Sequence, residues 1–192
     1  MKFSIDNNIE EFIHVSTDEV YGSYERSFAK EDDYLNPSSP YSASKASAEL
    51  IANSFSKTFD YKIKIVRPAN NYGFFQQPEK LIPFSIANLV FGNNIEIYGN
   101  GEHIRHWLHV DDTCSGIDSV LNKGKKGEVY NIGSGVYLNN SDIAKKILSY
   151  LNLGQERMIF VKDRPGHDFR YAVNFDKLKQ LGWKPNENFD DL

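Results

Sequence analysis

Strand-like and helix-like segments alternate along almost the whole chain, and this alternation constrains the fold more than any other feature. "EFIHVS" is a short apolar run of strand type, and "KIKIVRP" alternates like a strand and stops at Pro68. Between them, Tyr41 to about Phe59 carries apolar residues at helical spacing, with Ser38 and Ser39 as caps and Pro40 in the first turn. Further helices are expected around "PEKLIPFSIANLVFG", over "DDTCSGIDSVLNKG" and from about Ser141 to Leu151; Asn7 and Asn8 suggest the end of another. "IEIYGNGE", "RHWLHV" and "EVYNIGSG" supply further strands, and "MIFVKDRPG" and "DKLKQLGW" follow. Such a pattern specifies an α/β fold with a parallel sheet, and parallel sheets place ligands at the carboxyl ends of their strands.

Two polar clusters stand at such ends. Thr17, Asp18 and Glu19 follow the first strand, and Asn70 and Asn71 follow the second. Adjacent carboxylates repel and are unstable in a core without partners, so the first cluster is either a solvated turn or the working edge of a site. Tyr41 and Lys45 stand four apart in "YSASK" at a helix start, on one face. A free phenol titrates near pH 10 and must fall by about three units, roughly 4 kcal/mol, to act as a base at neutral pH. A neighbouring ammonium, a helix N-terminus and a cationic cofactor ring could together supply that.

Composition narrows the class. The chain has 192 residues, a net charge of −4 and one cysteine, Cys114. A net negative chain argues against nucleic acid as a partner, and a lone cysteine excludes an internal disulfide. No apolar run approaches the roughly 20 residues of a membrane span, and "KFSIDNNIEEF" after Met1 has no signal-type apolar region. A reducing cytoplasm is the expected location. His14, His103, His106 and His109 show no metal spacing and are expected to be structural, so no metal is expected.

Motif order adds a resemblance. "HVSTDEVYG", "PSSPYSASKASAE", "RPANNYG", "PEKLIP", "IYGNGEHIRHWLHVDD", "GEVYNIGSG", "DRPGHDFRYA" and "LGWKP" together resemble the extended short-chain dehydrogenase/reductases, and within them the nucleotide-sugar 4,6-dehydratases. Thr-Asp-Glu before Val-Tyr-Gly is the discriminating piece, since epimerases and decarboxylases of this group generally lack that acid pair. The resemblance implies part of a Rossmann-like doubly wound parallel sheet plus a smaller C-terminal substrate-binding subdomain. Residues 1–72 would be the C-terminal part of the NAD-binding domain, with the catalytic residues. Residues 73–192 would be mainly the substrate-binding subdomain, with about 106–133 returning to the core sheet.

The same resemblance implies roles. Tyr41 would take the C4 hydroxyl proton, Lys45 would tune it and bind NAD, and Thr17 would hydrogen-bond the C4 oxygen. Glu19 would be the base at C5 and Asp18 the acid at the departing C6 hydroxyl, which requires one carboxyl ionised and the other protonated. Tyr41, Lys45 and Asn70 would contact NAD. Arg105 and Arg164 would clasp a diphosphate with Asn71 donating to it, and Lys80, Leu81, Tyr98 and His167 would line the nucleotide and sugar pocket. A core role remains open for Tyr98, and a loop role for His167. The substrate would be a nucleotide sugar, with the match leaning to thymidine and glucose, and the full-length protein a homodimer.

Two departures matter. His106 stands where the family usually has an acid, which puts the local pairing near Arg105 in doubt. No G-x-x-G-x-x-G occurs, so a front portion of roughly 110 to 130 residues is expected to lie outside this sequence, with a shorter piece at the back. Two rivals remain: an epimerase or decarboxylase of the same group, and a catalytically silent truncated fragment that at most binds a sugar nucleotide.

Overall fold

A computed structural model describes residues 1–25, 27–186 and 189. In chain order, Lys2–Asp6 forms α1, Glu11–Val15 β1, Pro40–Phe59 α2, Lys62–Pro68 β2 and Asn70–Tyr72 β3. Leu81–Val90 forms α3, Ile95–Tyr98 β4, Ile104–His109 β5, Val110–Lys123 α4 and Val129–Ile132 β6. Val136–Asn139 forms β7, Asn140–Tyr150 α5, Met158–Val161 β8 and Asp176–Lys179 α6. The α/β alternation expected from the sequence is present. Its additions are β3 and β7, both too short to show a period, and two 3₁₀ turns, over Asp18–Tyr21 and Gln155–Arg157.

Three small sheets organise these strands. β1, β2 and β6 form a parallel sheet in that order, with Val15 opposite Val66 and Pro68 opposite Ile132. β3 runs parallel to β5, and β5 antiparallel to β7; β4 and β8 form a parallel pair. Within 106–133, β6 therefore joins the sheet of β1 and β2, while β5 joins the sheet of β3 and β7. β2 is buried from Ile63 to Pro68, the near-continuous burial of a parallel strand covered on both faces. Val66, Leu108, Val120, Tyr130, Ile132 and Leu178 pack the core beside it.

Helix α2 positions the site. Ser39 caps it by accepting from the Ser42 amide at 3.1 Å, Ser42 returns the bond to the Ser39 amide, and Pro40 opens the first turn. The helix ends at Asp60 in the left-handed region, at φ 51°. No described helix is long and apolar enough to cross a membrane.

Candidate active site

The site begins where β1 ends. The Ser16 amide donates to Val66 O at 2.8 Å, and the chain then turns at once into the 3₁₀ turn. Thr17 caps that turn, its hydroxyl oxygen accepting from the Glu19 amide at 3.3 Å. Gly22 closes it at φ 71°, where an added Cβ would collide with the carbonyl oxygen of Asn36. Thr17 and Asp18 are buried and Glu19 is half-buried. The acid pair is therefore not a solvated turn.

Burial sets the charges. Asp18 accepts from the Thr17 hydroxyl at 3.4 Å through Oδ1, while its Oδ2 is buried without a hydrogen-bond partner. Desolvation first, then the Glu19 charge, pushes the Asp18 carboxyl up to about 8, against the opposing pull of Arg105 and Thr17. Burial also raises Glu19, with Asp168 adding to it; the cations of Arg105, Arg164 and Lys80 oppose the rise. One acid is thus mostly protonated at neutral pH, and the other faces three cations. Two adjacent carboxyls acquire different states from their surroundings.

Tyr41 and Lys45 lie on the first turns of α2, but their pairing differs from the sequence expectation. The Lys45 ammonium donates to Val15 O at 2.8 Å, tying α2 to the end of β1. The Tyr41 phenol is raised, by burial first and then by the negative charges of Glu19 and Asp18, with the Thr17 hydroxyl opposing. It therefore lies within reach of the Thr17 hydroxyl and of both acid charges.

The remaining predicted residues divide. Arg105 is buried, its guanidinium donating to the carbonyls of Ile104 at 2.8 Å, Asp168 at 3.0 Å and Phe169 at 3.4 Å, above the Tyr171 ring at 4.4 Å. Arg164 lies over the Tyr98 ring at 5.9 Å, and His167 meets the same ring edge-on at 6.5 Å. Lys80 caps α3 and pairs with Glu79 at 3.4 Å; Leu81 packs against two core clusters. Asn70 has a buried Oδ1 without a partner, whereas Asn71 donates to Ala69 O at 2.9 Å and accepts from the Thr113 hydroxyl. The side chain of Asn71 is thus tied to its own scaffold.

His106 resolves its own anomaly. It is fully buried, and burial with the nearby Arg170 charge holds it neutral, pushed down to about 3. Its Nε2 accepts from the Ser134 and Gly135 amides, both at 2.9 Å, so the imidazole does an acceptor's work. Arg105 is held by carbonyls instead.

Sequence reasoning passed over Asp168. It is buried, accepts from the Ser38 hydroxyl and from the Tyr171 hydroxyl at 2.8 Å, and its carbonyl holds Arg105. It therefore joins the segment preceding α2 to the segment carrying Arg164. Its signal was its place inside "DRPGHDFRYA", but nothing in the spacing says what it touches.

A parallel strand end, an acid pair behind it and a Tyr-x-x-x-Lys helix beside it define an extended short-chain dehydrogenase/reductase scaffold. The chain belongs to the GDP-mannose 4,6 dehydratase family, which matches over residues 2–192. It is 45% identical over 188 residues to the low-salt glycan biosynthesis protein Agl12 of Haloferax volcanii, covering 98% of this chain and 61% of that protein. It is 44% identical over 187 residues to a dTDP-glucose 4,6-dehydratase of Streptomyces antibioticus, covering 97% and 56%. Among solved structures it is similar to DesIV (dTDP-glucose 4,6-dehydratase) from Streptomyces venezuelae with NAD bound, at TM-score 0.97 and 41% identity, covering 99% of this chain and 59% of that one. A UDP-glucuronic acid 4-epimerase from Bacillus cereus shares the fold at TM-score 0.90 and 28% identity, covering 95% of this chain and 58% of that one. The chain thus spans less than two thirds of the length of these relatives.

Proposed function

We propose that this chain carries the acid–base and substrate-side portion of an NAD-dependent nucleotide-sugar 4,6-dehydratase acting on dTDP-glucose. The single observation that carries the reading is the acid pair: Asp18, pushed up to about 8, stands beside Glu19, and the charges of both reach Tyr41. Oxidation of a C4 hydroxyl alone needs no second and third proton carrier. Elimination of water across C5 and C6 needs one base and one acid at the same time.

The chain's own groups divide that work. Tyr41 takes the proton of the C4 hydroxyl, and Thr17, which contacts both Tyr41 and Asp18, holds the C4 oxygen. Glu19 removes the C5 proton, made acidic by the neighbouring ketone. Asp18 gives its proton to the C6 hydroxyl as it leaves; its unpartnered Oδ2 is an oxygen free to face that group. Arg105 and Arg164 supply the positive charge a diphosphate requires, and the same charges favour the ionised form of Glu19.

The residues present fit a nicotinamide cofactor: Asn70 keeps a buried acceptor without a partner, and the Tyr41 side chain on α2 is about half-exposed. Tyr41, Lys45 and Asn70 would hold NAD, which when bound supplies the acceptor and return donor for the hydride. A homodimer and a cytoplasmic location complete the proposal for the full-length protein.

The test is a chimera in which the front portion of the Streptomyces antibioticus relative precedes this chain. Incubated with NAD and dTDP-glucose, it should form dTDP-4-keto-6-deoxyglucose, identified by mass and by loss of the C6 hydroxyl. A folded chimera that binds both ligands and releases a C4 epimer instead would replace this reading with the epimerase one.

A further inference from the structure

At residues 133–135 the chain passes directly from one sheet to the other. β6, ending at Ile132, belongs to the sheet of β1 and β2, from whose end the acid-pair turn leaves. β7, starting at Val136, belongs to the sheet of β3 and β5, which carries Arg105. His106 on β5 holds this crossing. Its Nε2 accepts from the Ser134 and Gly135 amides, both at 2.9 Å. The ring packs on the bare backbone of Gly133, where an added Cβ would collide with it. Ser134 reaches back to the same strand, its hydroxyl donating to Trp107 O and accepting from the Val136 amide at 3.0 Å. From there β5 and β7 pair with Trp107 opposite Val136, His106 opposite Tyr137 and Arg105 opposite Leu138.

We propose that His106 is a positioning residue: through its ring acceptor it locks the crossing between the two sheets and so sets Arg105 against the acid pair. The task of Arg105 on a diphosphate rests on the dehydratase reading above, whereas the lock itself does not. Two amide donors converge on one nitrogen, so that nitrogen must keep its lone pair. A protonated ring would turn a third donor towards them, and an apolar side chain would leave both amides without this acceptor. In the neutral ring the proton sits on Nδ1, which is buried without a partner. An unpaired N–H is thus tolerated here for the sake of the acceptor on the other side of the ring.

The surroundings keep that acceptor available. The imidazole is fully buried and feels the positive charge of Arg170. The Tyr137 ring lies 4.4 Å away, its phenol pushed up by burial to about 12 and therefore uncharged. The acid that the family resemblance leads one to expect at this position would offer lone pairs to the same two amides. Histidine keeps the lock and changes its response to pH. The fold holds the ring at about 3, against 6.5 for the ordinary group. Its contribution is therefore complete above about pH 6.5 and is lost as the pH falls from there towards 3.

The experiment compares His106→Gln, whose side-chain oxygen can stand in for Nε2 without titrating, with His106→Leu, which has no acceptor. In the 192-residue chain, urea unfolding is followed from about pH 7 to pH 4, and exchange of the Ser134 and Gly135 amides is read by NMR at neutral pH. Between about pH 5.5 and 4, the unfolding constant of the parent should rise about tenfold more per pH unit than that of His106→Gln. His106→Leu should speed exchange of the two amides about tenfold and, in the chimera, weaken dTDP binding about tenfold, with His106→Gln within about threefold of the parent in both. If His106→Leu does not fold, the pH comparison with His106→Gln decides. Parallel pH profiles for parent and His106→Gln, or exchange in His106→Leu within about twofold of the parent, would overturn the lock. Freed amides with unchanged dTDP binding would overturn its hold on Arg105. Unfolding and exchange involve no substrate, so the lock can fail without the dehydratase reading, and that reading without the lock.

Discussion

Arg67 on β2 grips Glu49 on α2 through nitrogen–oxygen contacts of 2.6, 2.9 and 3.2 Å, with both side chains buried. The same guanidinium donates to the Tyr21 hydroxyl at 2.5 Å, and Tyr21 donates to Asn131 at 2.8 Å. One buried network therefore joins the helix bearing Tyr41, the turn bearing Asp18 and Glu19, and strands β2 and β6. The relative placement of Tyr41, Asp18 and Glu19 rests on it.

Removing one partner of such a pair strands a charge in the core. Arg67→Met should destabilise the chain by about 3–5 kcal/mol, read from denaturant unfolding midpoints. Replacing both partners with apolar residues of similar volume should cost much less. A loss under about 1 kcal/mol in the single variant would show that the network does not fix the site.

Much of this arrangement is legible in the sequence. The α2 helix announces itself through Ser39, Pro40 and a long helical period, β1 through a short apolar run, and β2 through an alternating segment stopped by Pro68. The acid pair is visible as an anomaly at a strand end. Other parts have no local signal. β3 is only three residues long and polar at two of them, and its partner β5 lies far along the chain. Lys45 reads as a partner for Tyr41, yet the end of β1 lies within its reach and Val15 O accepts its hydrogen bond. Asn71 reads as a ligand donor, but Ala69 and Thr113 hold it. Side-chain partners of this kind depend on packing, which periodicity does not encode.

Asp18 makes a prediction that needs no substrate. Its carboxyl titrates near 8 in the fold against 3.8 for the ordinary group, so the folded state holds this proton more tightly. Its contribution is intact below about pH 4 and is lost as the pH rises towards 8, reaching a cost on the order of 4 kcal/mol near pH 7. Asp18→Asn should therefore stabilise the chain at pH 7–8 and leave it nearly unchanged at pH 4. Paired thermal melts across that range check this; a gain that is constant with pH would show that the carboxyl is not desolvated.

The 192-residue chain by itself should not bind NAD tightly. It has no G-x-x-G-x-x-G, and Tyr41, Lys45 and Asn70 reach only the nicotinamide end in the proposed site. Among the described residues β1 pairs with β2 alone, so one sheet edge stays open. Calorimetry with NAD should show no binding at micromolar concentrations. Tight binding by a monomer would mean that the cofactor is held by other groups.

Tyr41→Phe in the chimera should leave dTDP-glucose binding nearly intact and reduce turnover by orders of magnitude, because in the proposed mechanism the phenol acts only on the reacting proton. Steady-state kinetics with a separate binding measurement distinguish the two. Turnover within about tenfold of the parent, some 1.4 kcal/mol, would remove Tyr41 from the chemistry.

In the proposed mechanism the acid pair serves elimination and not oxidation, and Glu19→Gln in the same chimera separates the two steps. After mixing with NAD and dTDP-glucose, the near-ultraviolet absorbance of reduced cofactor and the released sugar nucleotide are followed together. Reduced cofactor should accumulate on the protein while no 4-keto-6-deoxy product appears. Product formation at the parent rate would contradict it, and would return Asp18 and Glu19 to the standing of a buried structural turn.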